Sequence, residues 1–356
     1  MINIFCDDMD DLALQQWNEC INHPAFRKGA LMPDAHGGYD APIGSVLALK
    51  DWVMPSWVGY DIGCGMCALP LAINRYELGD LQELHSKIHK AVPCGFSVHQ
   101  AQTRLPLGIN RSGEAIRQAF EKRKVAEQFG TLGGGNHFIE LGEGNDGMIY
   151  IVIHSGSRGF GHEIATYWMK RQKEETNNIG WYAHSKDGKQ YIQDMNIALV
   201  YALNNRKRMI ELVCEVLNTK PIFGSMINRN HNHLDMAHGL YIHRKGATHS
   251  EKDMLGVIPA NMRDGSYIVK GLGNPDSLWS SSHGAGRKMS RKVAKENITL
   301  EKFQSDMVGI VGDVKEKTID EAPDAYKDIN KVIKTQVDAG IIEVVDIVKP
   351  FLNVKG

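Results

Sequence analysis

Several side chains that can bind a metal ion stand in short segments far apart in the sequence. They are one carboxylate, one thiol and three imidazoles: Asp61, Cys64, His137, His154 and His231. Glycines flank most of them, which lets side chains in a tight turn point to one centre. Together they could complete the coordination of one ion, or of two ions that share the thiolate. By softness alone these ligands favour zinc, and the sequence chemistry does not choose the metal.

Such ligands must converge from distant loops. A single domain over residues 1–356 is the simplest fold that brings them together. A further segment, residues 282–287, places His283 in a turn rich in glycine and serine. We predict a helix over residues 287–297 that begins directly after this turn. Its basic residues recur every four positions and would form a phosphate-binding surface beside the imidazole. The alternative is a solvated basic helix that follows a surface loop.

The composition limits the kind of partner and compartment. The chain has 41 lysines and arginines against 42 aspartates and glutamates, so contact with a nucleic acid would require a local basic patch. Six cysteines lack the spacing of a secreted disulfide framework. Cys64 and Cys67 form a C-x-x-C without a second such pair, so we expect Cys67 to be a small buried core residue. With no signal-like or membrane-length apolar segment, we expect a soluble cytoplasmic protein that does not contact membranes.

Apolar segments alternate irregularly with helical patterns. We predict strands at 43–50, 66–73, 148–153, 266–270 and 341–348. We predict a long amphipathic helix over 192–217, and shorter helices over 79–91, 111–128, 161–174, 287–297 and 323–338. Because strands and helices do not alternate regularly, the expected fold class is α+β, with central sheets surrounded by helices.

Taken together, the motifs resemble those of the RtcB family of RNA ligases. In order along the chain they are MPDAHGG (32–38), GYDIGCGM (59–66), GTLGGGNHFIE (130–140), HSGSRG (154–159), HN (231–232), RKGA (244–247), GLGN (271–274), SHGAGRKMSR (282–291) and the terminal VKG. In that family a histidine attacks GTP to form a histidine–GMP adduct, and manganese is the metal. An RNA 3′-phosphate or 2′,3′-cyclic phosphate is then joined to a 5′-hydroxyl, in RNA repair or tRNA splicing.

The resemblance implies a role for each matching residue. His283 would be the guanylylated nucleophile, and the five metal-binding side chains would hold two Mn²⁺ ions with Cys64 shared. The guanylate of GTP would lie against Asn136, His137, Phe138, Ile139, Glu140, His231, Asn232, Pro259, Ala260, Asn261, Met262, Ser266, His283, Gly284, Ala285, Gly286 and Lys355. Contacts with RNA would involve Asp34, His36, Arg158, Arg287, Arg291 and Lys292. Broken RNA with such ends is the expected substrate, and an archease-like activator is a candidate partner.

Two departures from the family pattern stand out. The turn at 259–262 reads PANM where PGSM is usual. His233 follows the HN pair and could add a ligand, a proton donor or nothing, of which we favour nothing.

Three other functions are compatible with parts of the sequence. The first is another nucleotidyl transferase, although the nearest approach to a K-x-D-G motif, residues 186–188, lacks one residue. The second is a metal-dependent phosphoesterase or cyclic-phosphate hydrolase that acts on RNA ends with the same dinuclear site. The third is a non-enzymatic RNA-binding protein that keeps a structural metal.

Overall fold

The computed structural model describes residues 1–106, 109 and 113–356. In chain order the strands are β1 (Ile2–Ile4), β2 (Phe26–Tyr39), β3 (Ala41–Leu49), β4 (Trp52–Val53), β5 (Gly65–Leu71), β6 (Phe138–Glu143), β7 (Ile149–Ser155), β8 (Trp181–Tyr182), β9 (Ile227–Asn230), β10 (Asn232–Ala237), β11 (Leu240–Lys245), β12 (Ala247–His249), β13 (Leu255–Pro259), β14 (Ser266–Gly271), β15 (Ser280–Ser282), β16 (Val311–Gly312) and β17 (Ile342–Lys355). The helices are α1 (Asp11–Ile21), α2 (Leu81–Ala91), α3 (Glu114–Lys122), α4 (Arg158–Thr176), α5 (Lys186–Val216), α6 (Arg291–Asn297), α7 (Leu300–Asp306) and α8 (Ile329–Asp338).

Two mixed sheets form the centre of the fold. The five-stranded sheet has the order β1-β2-β3-β11-β10. The eight-stranded sheet has the order β13-β14-β17-β6-β7-β5-β9, with β16 beside β17. Two further sheets have two short strands each, β12 with β15 and β4 with β8. The α+β fold class is therefore confirmed. No helix in the described ranges is both long and apolar enough to cross a lipid bilayer.

The eight-stranded sheet is buried on both faces. On one face Leu69 and Ile151 pack in a cluster with Ile88 of α2 and Met209 of α5. On the other face Met66, in the same strand as Leu69, packs in a separate cluster. This alternation follows from the two-residue period of a strand, and it makes the sheet a rigid base for the loops at its edge.

Most of the predicted elements are present. All five predicted strands correspond to observed strands, β3, β5, β7, β14 and β17, with shifted ends. The long helix predicted over 192–217 corresponds to α5, which begins six residues earlier and ends one residue earlier, and α2 and α4 match their predicted ranges closely. The helix predicted over 111–128 is the shorter α3, and residues 111 and 112 lie outside the described part of the chain. The range 323–338 divides into a 3₁₀ turn at Pro323–Ala325 and α8.

The helix predicted to begin at residue 287 is wrong at its start. Helix α6 begins at Arg291, where the Ser290 side chain accepts a hydrogen bond from the backbone N–H of Val293. Serine is a preferred N-cap residue, so the sequence signal for a later start was present. The turn around His283 therefore does not lead directly into a helix N-terminus, and a helix dipole does not act there.

Arg206 of α5 connects the helix to the loops at the sheet edge. Its buried guanidinium donates to the carbonyl oxygens of Gly63 (2.9 Å) and Ser155 (2.7 Å). It also donates to the side-chain oxygens of Asn228 (2.8 Å) and Asn230 (2.7 Å). One cation thus satisfies acceptors from three segments of the chain.

Replacing Arg206 with methionine should destabilise the protein by roughly 3–5 kcal/mol, because two buried and two partly buried acceptors lose their donor. Urea unfolding would measure the change in the free energy of unfolding. The control is Arg208→Met in the same helix, where half-exposed ion pairs with Glu211 and Glu215 should contribute less than about 1 kcal/mol. Equal losses in the two variants would contradict the role assigned to Arg206.

Candidate metal centre and nucleotide cavity

The predicted metal ligands converge at one edge of the eight-stranded sheet. Cys64 and His137 stand immediately before β5 and β6, His154 is near the end of β7, and His231 follows β9. The four strands lie side by side in the order β6-β7-β5-β9, and each is antiparallel to its neighbour. The start of one strand therefore lies next to the end of the next, and all four side chains share one edge. Asp61 joins them from the loop before β5.

Cys64 lies between two groups of donor atoms. Its Sγ is 3.3 Å from Nε2 of His137 and 3.2 Å from Nε2 of His154. Asp61 Oδ2 lies 3.1 Å from His137 Nε2, and His231 Nε2 lies 3.3 Å from His154 Nε2. Within each triplet, Asp61–Cys64–His137 and Cys64–His154–His231, the donor atoms are within 4.8 Å of one another. The sulfur belongs to both triplets, as a bridging ligand would.

Backbone carbonyls orient two of the imidazoles. Nδ1 of His137 is 2.9 Å from the Leu132 oxygen, and Nδ1 of His154 is 3.2 Å from the Asn136 oxygen. A carbonyl only accepts, so each Nδ1 carries a proton, and each Nε2 is left facing the thiol, where it can bind a cation once the ring is neutral. Such contacts are typical of the groups that orient histidine ligands in metal sites.

Burial sets the charges of this centre. It raises the pKa of the Cys64 thiol, and it lowers the pKa values of His154 and His231 well below the usual range. Burial alone would raise the pKa of Asp61, but the hydrogen bond and charge of His137 lower it to about 2. A cation would displace the proton that His137 shares with Asp61 and the proton of the thiol, and the resulting imidazoles, carboxylate and thiolate fit a pair of divalent ions.

His283 stands next to this centre, but its hydrogen-bond partner belongs to the five-stranded sheet. Its Nδ1 donates to Oδ2 of Asp34 at 2.7 Å, and its backbone N–H donates to the same oxygen at 3.2 Å. Asp34 lies in β2 of the five-stranded sheet and is fully buried. The centroids of the His283 and His231 rings are 4.8 Å apart. The carboxylate fixes the proton on Nδ1, so Nε2 of His283 offers a lone pair.

Gly286 permits this close approach of the two segments. Its φ is +75°, and a Cβ built there would lie 2.4 Å from the backbone oxygen of Asp34. Both the backbone conformation and the space therefore require glycine.

A cavity of about 590 Å³ opens beside His283. Most residues predicted to contact the guanylate are in its wall: Asn136, Phe138, Glu140, Pro259, Ala260, Asn261, Met262, His283, Gly284, Ala285, Gly286 and Lys355. The volume is in the range of small-molecule sites. The cavity also reaches His154, so its inner end meets the metal centre.

The other predicted nucleotide residues have different surroundings. Ile139 is packed in the core, and His137 and His231 face the metal centre. Ser266 is fully buried behind Glu140 and donates to its Oε1 at 3.1 Å. The Asn232 side chain donates to the Asp61 carbonyl at 3.2 Å and accepts from the backbone N–H of Gly246 at 3.0 Å.

Buried ionisable groups lie in the cavity wall, among them Glu140, Glu321 and Lys355. Burial raises the pKa of Glu140 to about 8, with partial opposition from the hydrogen bond of Ser266. Lys355 Nζ donates to Oε2 of Glu321 at 2.7 Å and to the Asn136 oxygen at 3.2 Å. Burial opposes the ionisation of Glu321, but Lys355 and Arg291 outweigh it and lower its pKa to about 2.

The basic residues expected to contact RNA are not grouped as predicted. Arg287 donates to the Asp320 oxygen at 2.6 Å and to Glu321, and Arg291 donates to the side chains of Asp320 and Glu321. Arg287 precedes α6, and both guanidinium groups are paired with carboxylates, so the row of basic residues expected along one helix is not formed as predicted. Contact of these residues with RNA stays a prediction. Lys292 is exposed, with its charge 3.9 Å from Glu296.

The other three residues expected to contact RNA lie near the two cavities. Asp34 and His36 are beside His283 and the first cavity, and Arg158 is in the second. His36 lines the cavity beside His283, and its Nδ1 is 2.8 Å from the Asp34 oxygen. Arg158 lines a second cavity of about 910 Å³, together with Asp61 and His137. Two cavities thus meet the metal centre from different directions.

Two carboxylates that organise the site were missed in the sequence, and a third was given a different role. Asp34 was assigned to the RNA end, whereas the structure places it against His283. Asp320 and Glu321 were not singled out, although they hold Arg287, Arg291 and Lys355. The motif around Asp34 was a usable signal, but no local pattern marks Asp320 and Glu321.

Comparison with known proteins identifies the family. A family model described as tRNA-splicing ligase RtcB matches residues 16–118 and 108–356. The chain is 34% identical over 375 residues to the RNA-splicing ligase RtcB of Escherichia coli strain K12, covering 93% of this chain and 90% of that protein. It is 27% identical over 447 residues to the tRNA-splicing ligase RtcB of Aeropyrum pernix, covering 98% and 92%. The chain belongs to the RtcB family, which confirms the resemblance seen in the motifs.

Glu140 should make stability depend on pH. Its pKa is about 8 in the fold against an ordinary value of 4.5, so the folded protein holds an extra proton between these values and loses stability as pH rises through them. Glu140→Gln should therefore raise the Tm, relative to the unsubstituted protein, more at pH 8 than at pH 5. Calorimetry at both pH values measures this, with exposed Glu301→Gln as the control. A difference in Tm independent of pH would contradict the assignment.

Proposed function

We propose that this protein is an RNA ligase that joins a 3′-phosphate or 2′,3′-cyclic phosphate end to a 5′-hydroxyl end. The reaction would use GTP, Mn²⁺ and a GMP adduct on His283. Family membership supports ligation of RNA. The observation that carries the finer proposal is the position of His283, which lines a cavity of nucleotide size while its ring lies 4.8 Å from that of His231 in the candidate metal centre.

Asp34 would activate His283 by holding it. The carboxylate keeps the proton on Nδ1 and orients the ring, so Nε2 can attack. As an Nε2–P bond forms, the ring gains positive charge, and the buried carboxylate stabilises that charge. Its effect is strong because Asp34 is shielded from water.

The reaction would proceed in three steps. Nε2 of His283 attacks the α-phosphorus of GTP, the N–P bond forms, and pyrophosphate leaves. An oxygen of the RNA 3′-phosphate then attacks the same phosphorus, the N–P bond breaks, and the guanylate moves to the RNA. The 5′-hydroxyl attacks the activated RNA phosphorus and loses its proton, and GMP leaves. A cyclic phosphate must first be opened by water.

Asp61, Cys64, His137, His154 and His231 would hold the two Mn²⁺ ions. Bound manganese would neutralise phosphate charge and act as a Lewis acid at the reacting phosphorus. The residues of this chain would bind and orient the GTP and the RNA ends.

The cavity wall suits a guanylate. Glu140 offers a carboxyl group that can accept hydrogen bonds from a guanine edge once it is ionised, and Ser266 fixes its orientation. Lys355 brings a buried positive charge suited to a sugar hydroxyl or a phosphate. The turn from Gly284 to Gly286 lies at the same wall. The Ala285 N–H donates to the Pro259 carbonyl at 3.0 Å, so the N–H groups of Gly284 and Gly286 would be the ones to face phosphate oxygens.

The second cavity is the better candidate for the RNA end. Arg158 contributes a guanidinium group there, and Arg123 and Lys317 also line it. These positive charges suit an RNA backbone and a terminal phosphate. The natural RNA, an archease-like activator and a cytoplasmic location stay predictions.

Incubation of the protein with labelled GTP and Mn²⁺ should attach one GMP to His283 through an acid-labile bond, which mass analysis of peptides would locate. Later addition of RNA with a 3′-phosphate and a 5′-hydroxyl should discharge the adduct and yield joined RNA. His283→Ala should keep its bound metal but form no adduct, because the nucleophile is lost. Asp34→Asn should slow adduct formation by about 10²-fold or more, since the carboxylate no longer holds the ring.

Two results would overturn the proposal. Phosphate release without GTP that survives in His283→Ala would indicate a phosphoesterase that uses the same ligands. AMP attached to a lysine would indicate another class of nucleotidyl transferase. If His283→Ala also lost its bound metal, the histidine would itself be a metal ligand.

A further inference from the structure

A second group of donor side chains lies outside the site described above. His233 and Asp235 are two residues apart in β10, so their side chains share one face of this edge strand. His249, at the end of β12, faces them. Nε2 of His233 and Nε2 of His249 are 2.8 Å apart, and Asp235 Oδ2 is 3.9 Å from the latter. All three donor atoms are within 4.8 Å of one another.

Neighbouring side chains orient two of the three donors. Nδ1 of His249 donates to Oε1 of Glu251 at 2.7 Å, so Nε2 of a neutral His249 ring directs its lone pair toward His233. Arg244 donates to Oδ1 of Asp235, which leaves Oδ2 available. A carboxylate that holds the far nitrogen of a histidine is the usual support of a histidine ligand.

The group is not satisfied by hydrogen bonds alone. His233 is almost wholly buried, and its Nε2 faces Nε2 of His249. A shared proton could bridge the two Nε2 atoms, but it would leave the oriented Oδ2 of Asp235 unused. A cation would use all three donors.

The surroundings allow an ion to enter and to stay. The side chains of His249 and Asp235 are 23% and 31% exposed, so the group opens to solvent on one side while His233 closes it on the other. The carboxylates of Asp235 and Glu251 offset the charges of Arg244 and nearby Arg229. Binding would therefore depend on direct coordination, not on a strong negative field.

We propose that His233, Asp235 and His249 bind one divalent transition-metal ion of the zinc type, with a fourth position open to solvent. Two imidazoles and one carboxylate are a common zinc ligand set. The ligands are separate from those of the candidate manganese centre, and the site would join β10 to β12. His233 would then be a ligand, contrary to our expectation from the sequence that it has no role.

The test is equilibrium dialysis of the full chain against Zn²⁺, followed by elemental analysis. His249→Gln should bind one equivalent less than the unsubstituted protein, and Asp235→Asn should also lose zinc. Ions bound by Cys64 or by other histidine groups count equally in all variants, so the difference isolates this site. The outcome is thus independent of whether His283 accepts GMP.

Two further variants sharpen the test. His184→Gln, at a half-exposed histidine outside the group, should keep the full zinc content. Glu251→Gln should keep the stoichiometry at saturation but weaken binding by about 10–100-fold, because the orienting carboxylate is lost. Circular dichroism verifies that each variant is folded. Equal zinc content in the unsubstituted protein, folded His249→Gln and folded Asp235→Asn would overturn the proposal.

Discussion

The site depends on one buried sulfur atom at the edge of an antiparallel sheet. Cys64 Sγ lies within 3.3 Å of two imidazole nitrogens and belongs to both donor triplets. Four neighbouring strands that alternate in direction place their ends at this edge, so loops distant in sequence become neighbours. Arg206 of α5 donates hydrogen bonds to two of these segments and so fixes them to the helix. A shift of any one of these strands by one residue in register would move its candidate metal-binding side chain away from the others.

The second constraint is the contact between the two sheets. Asp34 comes from the five-stranded sheet, whereas the metal ligands come from the edge of the eight-stranded sheet. The hydrogen bond from His283 to Asp34 therefore positions His283, the proposed nucleophile, at the boundary between them. Gly286 makes the approach sterically possible, and the cavity opens at the same boundary. Catalytic geometry and the packing of the two sheets are consequently linked.

The grouping of the five candidate metal-binding side chains could be predicted because their types are chemically restrictive and their turns contain glycine. The fold class and the long helix α5 followed from apolar periodicity, which records burial on each face. Long-range ion pairs leave no such local pattern. Nothing near Arg287 or Arg291 in sequence indicates that Asp320 and Glu321 neutralise them, and the start of α6 depended on recognising Ser290 as its cap.

Electron paramagnetic resonance of the protein loaded with two equivalents of Mn²⁺ tests the central claim most directly. If Cys64 bridges two ions, the spectrum should show an exchange-coupled pair, and Cys64→Ala should abolish the coupling. Spectra of two isolated manganese ions in the unsubstituted protein would contradict a shared thiolate and the arrangement of the site derived from it.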